Sequence, residues 1–206
     1  MISLFSRQEV VKGVDYLAKE NPLIIRLQNK YGDPNIVTPE GGVFLGLIKA
    51  IISQQINTKV ANSIYKKFEF LYGSLAITPE LVSSTSEIQL TSIGLPIRKI
   101  EYIYSVARFF VMKQYTDDHF LSMQDHVLRK ELIYIKGVGD WTIDMILIFS
   151  MGRADVFPVG DFGVRRGFNV LFNKEFTPEK MLEVSKSWKP YRTIFSWYLW
   201  RIADES

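Results

Sequence analysis

Cysteine is absent from all 206 residues, which excludes disulfides, thiolate-bound zinc and an iron–sulfur cluster held by Cys. Histidine is nearly absent too, and His119 and His126 alone cannot furnish a His-based metal site. No apolar run approaches the roughly 18–20 residues that span a bilayer. The opening MISLFSRQEVVKG turns polar too early for a signal peptide. Charge of one sign is also scarce. The 25 Lys and Arg stand against 22 Asp and Glu, a net of +3, which permits a nucleic-acid partner without demanding one. These absences give the expectation of a soluble intracellular protein acting away from membranes, in the cytoplasm or nucleoid, or in the nucleus of a eukaryote.

Strand-like alternation is missing as well, and the dominant period is helical. In residues 43–55 the side chains Phe44, Leu47, Ile48, Ile51 and Ile52 fall at three- and four-residue spacing, which makes one buried stripe. Asn57 sits where it can cap a new helix, one that turns Val60, Ala61, Ile64, Phe68 and Leu71 inward and stops near Gly73. Further helices are expected over 79–83, 86–91, 97–113, 118–130, 141–151, 178–187 and 190–203. Residues 2–11 show a weak apolar alternation that fits an edge strand or a helix. The segment 32–42 is rich in Gly and Pro and is the best candidate for a lobe boundary. The class is all-α.

The most informative stretch is Leu132-Ile133-Tyr134-Ile135-Lys136-Gly137-Val138-Gly139-Asp140-Trp141-Thr142. An apolar helix end runs through Gly-Val-Gly into another helix. The turn's amides and the positive end of the new helix suit a phosphate. Alone, the pattern is more often an ordinary helix-terminating turn than a DNA contact. Beyond the second helix comes Val156-Phe157-Pro158-Val159-Gly160-Asp161-Phe162-Gly163, an acidic residue in a Pro/Gly-rich connector. The arrangement resembles the helix–hairpin–helix (HhH-GPD) DNA glycosylases, and within them the compact 3-methyladenine DNA glycosylase II branch. The resemblance spans about residues 40–202. It includes Ile51-Ile52-Ser53-Gln54-Gln55-Ile56-Asn57, the Ile93-Gly94-Leu95-Pro96 turn with Lys99, and the closing 190–201 segment.

The resemblance implies a set of roles. Asp161 is the catalytic carboxylate, set to stabilise an oxocarbenium-like sugar and to orient or deprotonate water; a surface Asp that caps the next helix is the alternative. Trp141 stands where lyase-competent members carry a nucleophilic lysine, and an indole cannot form a Schiff base. Trp141 and Trp200 would form walls of a base pocket, or else be plain core residues, with Tyr134, Met145 and Phe162 as further lining. An aromatic wall suits an electron-poor alkylated base. Gly137, Val138, Gly139 and Lys136 would hold DNA at the hairpin. One of Gln54, Gln55 and Ile56 would fill the gap left by the flipped base, with Gln55 aligning best. The family hairpin also binds a monovalent cation (Na+ or K+) through carbonyls, here those of Ile133, Ile135 and Val138; no cofactor is required.

Two departures from the family pattern stand out. Asp140 occupies the mouth of the hairpin, where many relatives carry Lys or Arg. Gly163 occupies a position where some carry a larger side chain, which suggests a wider or shallower pocket. The implied architecture is two helical lobes, 40–136 and 1–39 with 137–206, forming a single HhH-GPD unit with a DNA- and base-binding cleft between them. The implied protein is a monomeric, monofunctional glycosylase acting on damaged double-stranded DNA to release 3-methyladenine and 7-methylguanine and so initiate base excision repair. Two rivals are a glycosylase for oxidised or deaminated bases and a non-catalytic helix–hairpin–helix DNA-binding module. The iron–sulfur mismatch glycosylases are set aside, because their cysteine quartet is missing.

Overall fold

Short-range side-chain caps start many of the helices in the computed structural model, which describes residues 6–36 and 42–206. In chain order the helices are α1 (Arg7–Glu20), α2 (Leu23–Tyr31), α3 (Gly42–Ser53), α4 (Thr58–Tyr72), α5 (Pro79–Ser84), α6 (Glu87–Ser92) and α7 (Ile97–Lys113). They continue with α8 (Asp117–Ser122), α9 (Asp125–Leu132), α10 (Asp140–Met145), α11 (Phe162–Phe172), α12 (Pro178–Ser185) and α13 (Arg192–Glu205). No strand occurs among the described residues, so the all-α class holds. Ser6 and Glu9 form a reciprocal capping box on α1, Ser86 and Gln89 another on α6. Asn57 caps α4 by accepting the Val60 N–H at 2.9 Å, as its position in the sequence predicts.

The chain divides into two compact units, Pro39–Ile146 and the combination of Met1–Thr38 with Leu147–Ser206. The first crossing lies in residues 37–41, outside the described residues. The second crossing follows Ile146, later than the sequence pattern suggests. The hairpin turn and Trp141 therefore belong to the central unit, where α10 packs against α3 and α9.

In that central unit α3 is the buried rod, with Val43, Phe44, Leu47, Ile48, Ala50, Ile51 and Ile52 all inside. α4, α7, α8 and α10 pack around it, and α5 and α6 lie on α7. The N-terminal amide of Val43 is capped from a distance by Asp117, at 2.9 Å. The inward face of α4 is Ala61, Tyr65, Phe68 and Tyr72; Ala61 and Phe68 are buried as expected, while Tyr65 and Tyr72 replace Ile64 and Leu71, and Val60 is 44% exposed. Tyrosine can face a core when its hydroxyl finds a partner, and Tyr72 pairs with Thr85 at 3.0 Å. The single helix expected over 118–130 is broken, because Met123 and Gln124 are extended. The Ser122 hydroxyl bonds back to the His119 carbonyl at 2.7 Å, a local competitor of helix propagation.

The second unit is built on α11 and α13, with α1 and α2 against α13. Residues 7–11 are helical, which resolves that part of the strand-or-helix alternative; residues 2–5 lie outside the described set. Its core holds Trp188 stacked on Phe195 at 3.5 Å, with Phe157 and Phe168 edge-on or tilted beside it. Among the described residues no helix is long and apolar enough to cross a membrane. The crossing of α11 and α13 depends on Gly167, whose missing Cβ would lie 2.0 Å from the Leu199 carbonyl oxygen. Backbone cannot retreat as a flexible side chain can. Gly167→Ala is therefore expected to cost about 3 kcal/mol by overpacking, a fall of roughly 6–12 °C in Tm at this chain length. A thermal melt unchanged from the parent would show that α11 and α13 can separate freely.

Candidate active site

The hairpin between α9 and α10 is held by its neighbours. Gly137 has φ +90°, and a Cβ there would fall 2.1–2.6 Å from the Tyr102 ring. Both the conformation and the close approach require glycine. The turn closes with the Ile135 N–H donating to the Leu132 carbonyl and the Val138 N–H to the Ile135 carbonyl, each at 3.0 Å. Gly139 is the N-cap of α10 and has no side chain to cap it. A Cβ at Gly139 would meet nothing within 4 Å.

Two side chains fix this turn, and a third holds the end of α3 from which Gln54 reaches it. Gln54 donates through Nε2 to the Gly137 carbonyl at 2.9 Å and to the Thr142 hydroxyl at 3.1 Å. The Arg129 guanidinium bonds the buried Asp144 carboxylate and lies 3.9 Å from Asp140. Lys99 donates to the carbonyls of Ile52 (2.6 Å) and Gln54 (2.8 Å), closing the end of α3. Partial burial pushes the Lys99 ammonium pKa down. The three residues grouped as wedge candidates thus separate. Gln54 is bonded to the hairpin, whereas Gln55, with φ +60°, and Ile56 beside it are both exposed.

Charge at the hairpin is largely countered. Lys136 pairs with Glu101 at 2.6 Å, both more than half exposed, and that ammonium holds the Glu101 carboxyl below its ordinary range. Asp140 pairs at 3.9 Å with Arg129, which it shares with Asp144. Neither pair is buried, so each contributes little to stability. The carbonyls of Ile133, Ile135 and Val138 belong to this same turn, and Tyr134 in it is 87% exposed.

In the other unit, Asp161 heads α11. Its Oδ1 accepts the Val164 N–H and the Trp200 indole N–H, each at 2.8 Å. The cap alternative is therefore realised, and the same oxygen is also gripped by a tryptophan from α13. Gly163 explains how the indole gets there. A Cβ on Gly163 would sit 2.9 Å from Trp200 Cδ1 and 3.2 Å from Asp161 Oδ1. The space freed by this glycine is taken by Trp200. Phe162 points outward, 77% exposed.

The connector leading to Asp161 is anchored to the start of α13. Arg192 bonds Asp155 through two nitrogens, Nε to Oδ1 at 2.6 Å and Nη2 to Oδ2 at 2.9 Å. The Thr193 hydroxyl donates to the Arg153 carbonyl at 2.7 Å and accepts the Val156 N–H at 3.0 Å. Sequence reasoning missed Tyr102, Arg129, Arg192 and Phe149, the last stacked on Trp200 at 5.6 Å. Each acts through a partner distant along the chain, so no local pattern marks it.

Known proteins resemble this chain in sequence and in fold. Residues 48–192 match the model of the HhH-GPD superfamily base excision DNA repair proteins. The chain is 32% identical over 182 residues to DNA-3-methyladenine glycosylase 1 of Schizosaccharomyces pombe, covering 86% of this chain and 79% of that one. The structure of the S. pombe 3-methyladenine DNA glycosylase Mag1 in complex with abasic DNA superposes with TM-score 0.83 at 30% identity, covering 92% of this chain and 95% of Mag1. That of the Archaeoglobus fulgidus 3-methyladenine DNA glycosylase gives 0.82 at 26% identity, covering 95% and 69%. The chain belongs to the HhH-GPD superfamily of base excision DNA repair proteins, in the branch of the DNA-3-methyladenine glycosylases.

Proposed function

We propose that this chain is a monofunctional DNA glycosylase that excises alkylated bases such as 3-methyladenine and 7-methylguanine from duplex DNA, initiating base excision repair. The observation that carries this reading is the Asp161 carboxylate, oriented by two N–H donors at the head of α11. Alkylation makes the base a cationic leaving group. As the bond to C1′ breaks, its electron pair leaves with the base, which departs neutral, and positive charge develops on the sugar. Asp161 supplies a fixed negative charge to that sugar. Water then bonds to C1′ and its proton is lost, with Asp161 available as acceptor.

The remaining residues take supporting roles in the same proposal. The amides around Gly137, Val138 and Gly139, with the positive end of α10, bind a DNA phosphate. Lys136 is held by Glu101, so the grip rests more on backbone donors than on its charge. Gln55 enters the gap left by the flipped base, with Ile56 beside it; Gln54 instead holds the hairpin in shape. Trp141, Met145 and Trp200, with the more exposed Tyr134 and Phe162, contact the extruded base. The neutral carbonyls of Ile133, Ile135 and Val138 suit a monovalent cation; the Ile135 carbonyl already accepts one N–H and keeps a second lone pair. Such a cation would add positive charge for phosphate binding. The protein works as a monomer on damaged double-stranded DNA and needs no other cofactor.

Release of methylated bases from alkylated duplex by chelator-treated protein tests the assignment, with Asp161→Asn as the decisive variant. Asn keeps an Oδ1 acceptor for both donors, so the fold should survive while the negative charge is lost. Excision should fall by roughly two to four orders of magnitude, with DNA affinity held or tightened. Asp15→Asn and Asp118→Asn, both exposed, are the controls, since Asp144, Asp155 and Asp204 are all engaged by arginines. DNA binding without base release by the parent protein would favour the non-catalytic module instead. Borohydride during turnover should trap no protein–DNA adduct and leave the abasic strand intact, because Trp141 offers no amine. An adduct mapped to a lysine would overturn the monofunctional assignment. Gly137→Ala should lower affinity for any duplex about tenfold, the loss of roughly one charge-assisted hydrogen bond, and should cost more Tm than Gly139→Ala. Equal behaviour of the two variants would detach the hairpin from DNA binding.

A further inference from the structure

Helix α10 does not end at Met145 but widens into a π-helical turn, Ile146–Ser150. A π turn carries one extra residue per turn and is uncommon unless a site requires it. Relative to an uninterrupted α-helix, the extra residue rotates the downstream side chains by roughly 100°. The turn then stops in a tight closure. Gly152 is left-handed, and the Arg153 N–H reaches back to the Leu147 carbonyl at 2.8 Å. Ile146, Leu147, Ile148 and Ser150 are all buried, and Phe149 alone of the five is partly open.

Phe149 lies against Trp200 with ring centroids 5.6 Å apart and planes 27° from parallel. Trp200 is thereby confined on two sides: one face is backed by Phe149, and its Cδ1–Nε1 edge is pressed against Gly163 and bonded to Asp161. An indole N–H hydrogen bond depends on the plane of the ring, because the proton lies in that plane. A flat ring packed behind the indole resists tilt in a way that an aliphatic side chain of similar volume does not.

We propose that Phe149, presented by the π-helical turn, is a positioning residue that sets the plane of Trp200 and so aims the Asp161 carboxylate. Its catalytic consequence rests on the glycosylase reading, but the physical link from Phe149 through Trp200 to Asp161 does not. Phe149→Leu keeps an apolar side chain and removes the flat face. Trp200→Phe keeps an aromatic ring against Phe149 and removes the N–H.

Two readouts on the full chain separate the possibilities. The first is the indole N–H resonance of Trp200, one of four tryptophans, assigned by its loss in Trp200→Phe and by its displacement in Asp161→Asn. It should move in Phe149→Leu and return towards the parent position in Phe149→Tyr. The second is single-turnover excision of 7-methylguanine. Phe149→Leu should slow it about three- to tenfold, the scale of one aromatic pair, with DNA affinity unchanged. The double variant Phe149→Leu/Trp200→Phe should be no slower than Trp200→Phe alone, because Phe149 acts through the indole N–H.

An unmoved resonance in Phe149→Leu overturns the proposal whatever the rate. So does an additive loss in the double variant, or a moved resonance with parental excision. If Phe149→Leu does not fold, Phe149→Met carries the same comparison. A moved resonance in a parent protein that releases no base would uphold the link and refute the glycosylase reading alone.

Discussion

Two glycines one helical turn apart, Gly163 and Gly167, let α11 approach α13 closely enough for the site to exist. Gly167 accommodates the Leu199 backbone, and Gly163 accommodates the ring of the next residue, Trp200. Because i and i+4 lie on one helix face, the two absences of Cβ form a continuous flat strip. Only with that strip in place can the Trp200 indole N–H reach Asp161 at 2.8 Å. The aspartate in turn caps the helix that carries both glycines. Helix start, helix crossing and carboxylate orientation are thus one mutually dependent arrangement, and a side chain added at either glycine disturbs all three.

The hairpin obeys a similar logic with different parts. A turn rich in glycine is flexible in isolation, since glycine loses more freedom on ordering than any other residue. Here that freedom is removed by contacts from outside the turn. Tyr102 fills the space beside Gly137, Gln54 holds its carbonyl, and Arg129 joins α9 to α10 through Asp144. Amides fixed in advance need less reordering when an anion binds. The pairing of Lys136 with Glu101, and of Arg129 with both Asp144 and Asp140, leaves no excess of positive charge at the turn, in keeping with the modest net charge of the whole chain. The turn therefore offers directional donors more than a strong field.

Sequence and structure agree mainly where residue type and close spacing together mark the governing interaction. The all-α class, the Asn57 cap, the start and stop of α7, and the helix–turn–helix around residues 137–139 all arise from spacing within a few residues. So does the cap role of Asp161, whose donor Val164 is three residues away. Disagreements arise where a distant partner or a competing local bond leaves no mark in the apolar pattern. Tyr65 and Tyr72 take places on the inner face of α4 where aliphatic residues are expected, their rings packed with Phe68 and the Tyr72 hydroxyl partnered by Thr85. The expected helix over 118–130 is broken at residues where a serine hydroxyl competes for the backbone. The π turn left no trace in the apolar pattern of residues 141–151, since a helix buried nearly all round has no periodic face to lose.

The amino-acid sequence by itself determined the helical class, the exclusion of Cys-ligated metal chemistry, the hairpin motif, and the carboxylate that heads α11. Each rests on residue type and on spacings of four residues or fewer, where the chain's covalent geometry already brings the groups together. Tertiary structure alone decided what holds that carboxylate, which of Gln54 and Gln55 is committed to the hairpin, and which unit the hairpin belongs to. Trp200 and Asp161 are 39 residues apart, and Gln54 and Gly137 are 83 apart. Pairings of that reach arise only when helices pack, because side-chain volume and close backbone approach, not local propensity, select which distant surfaces meet.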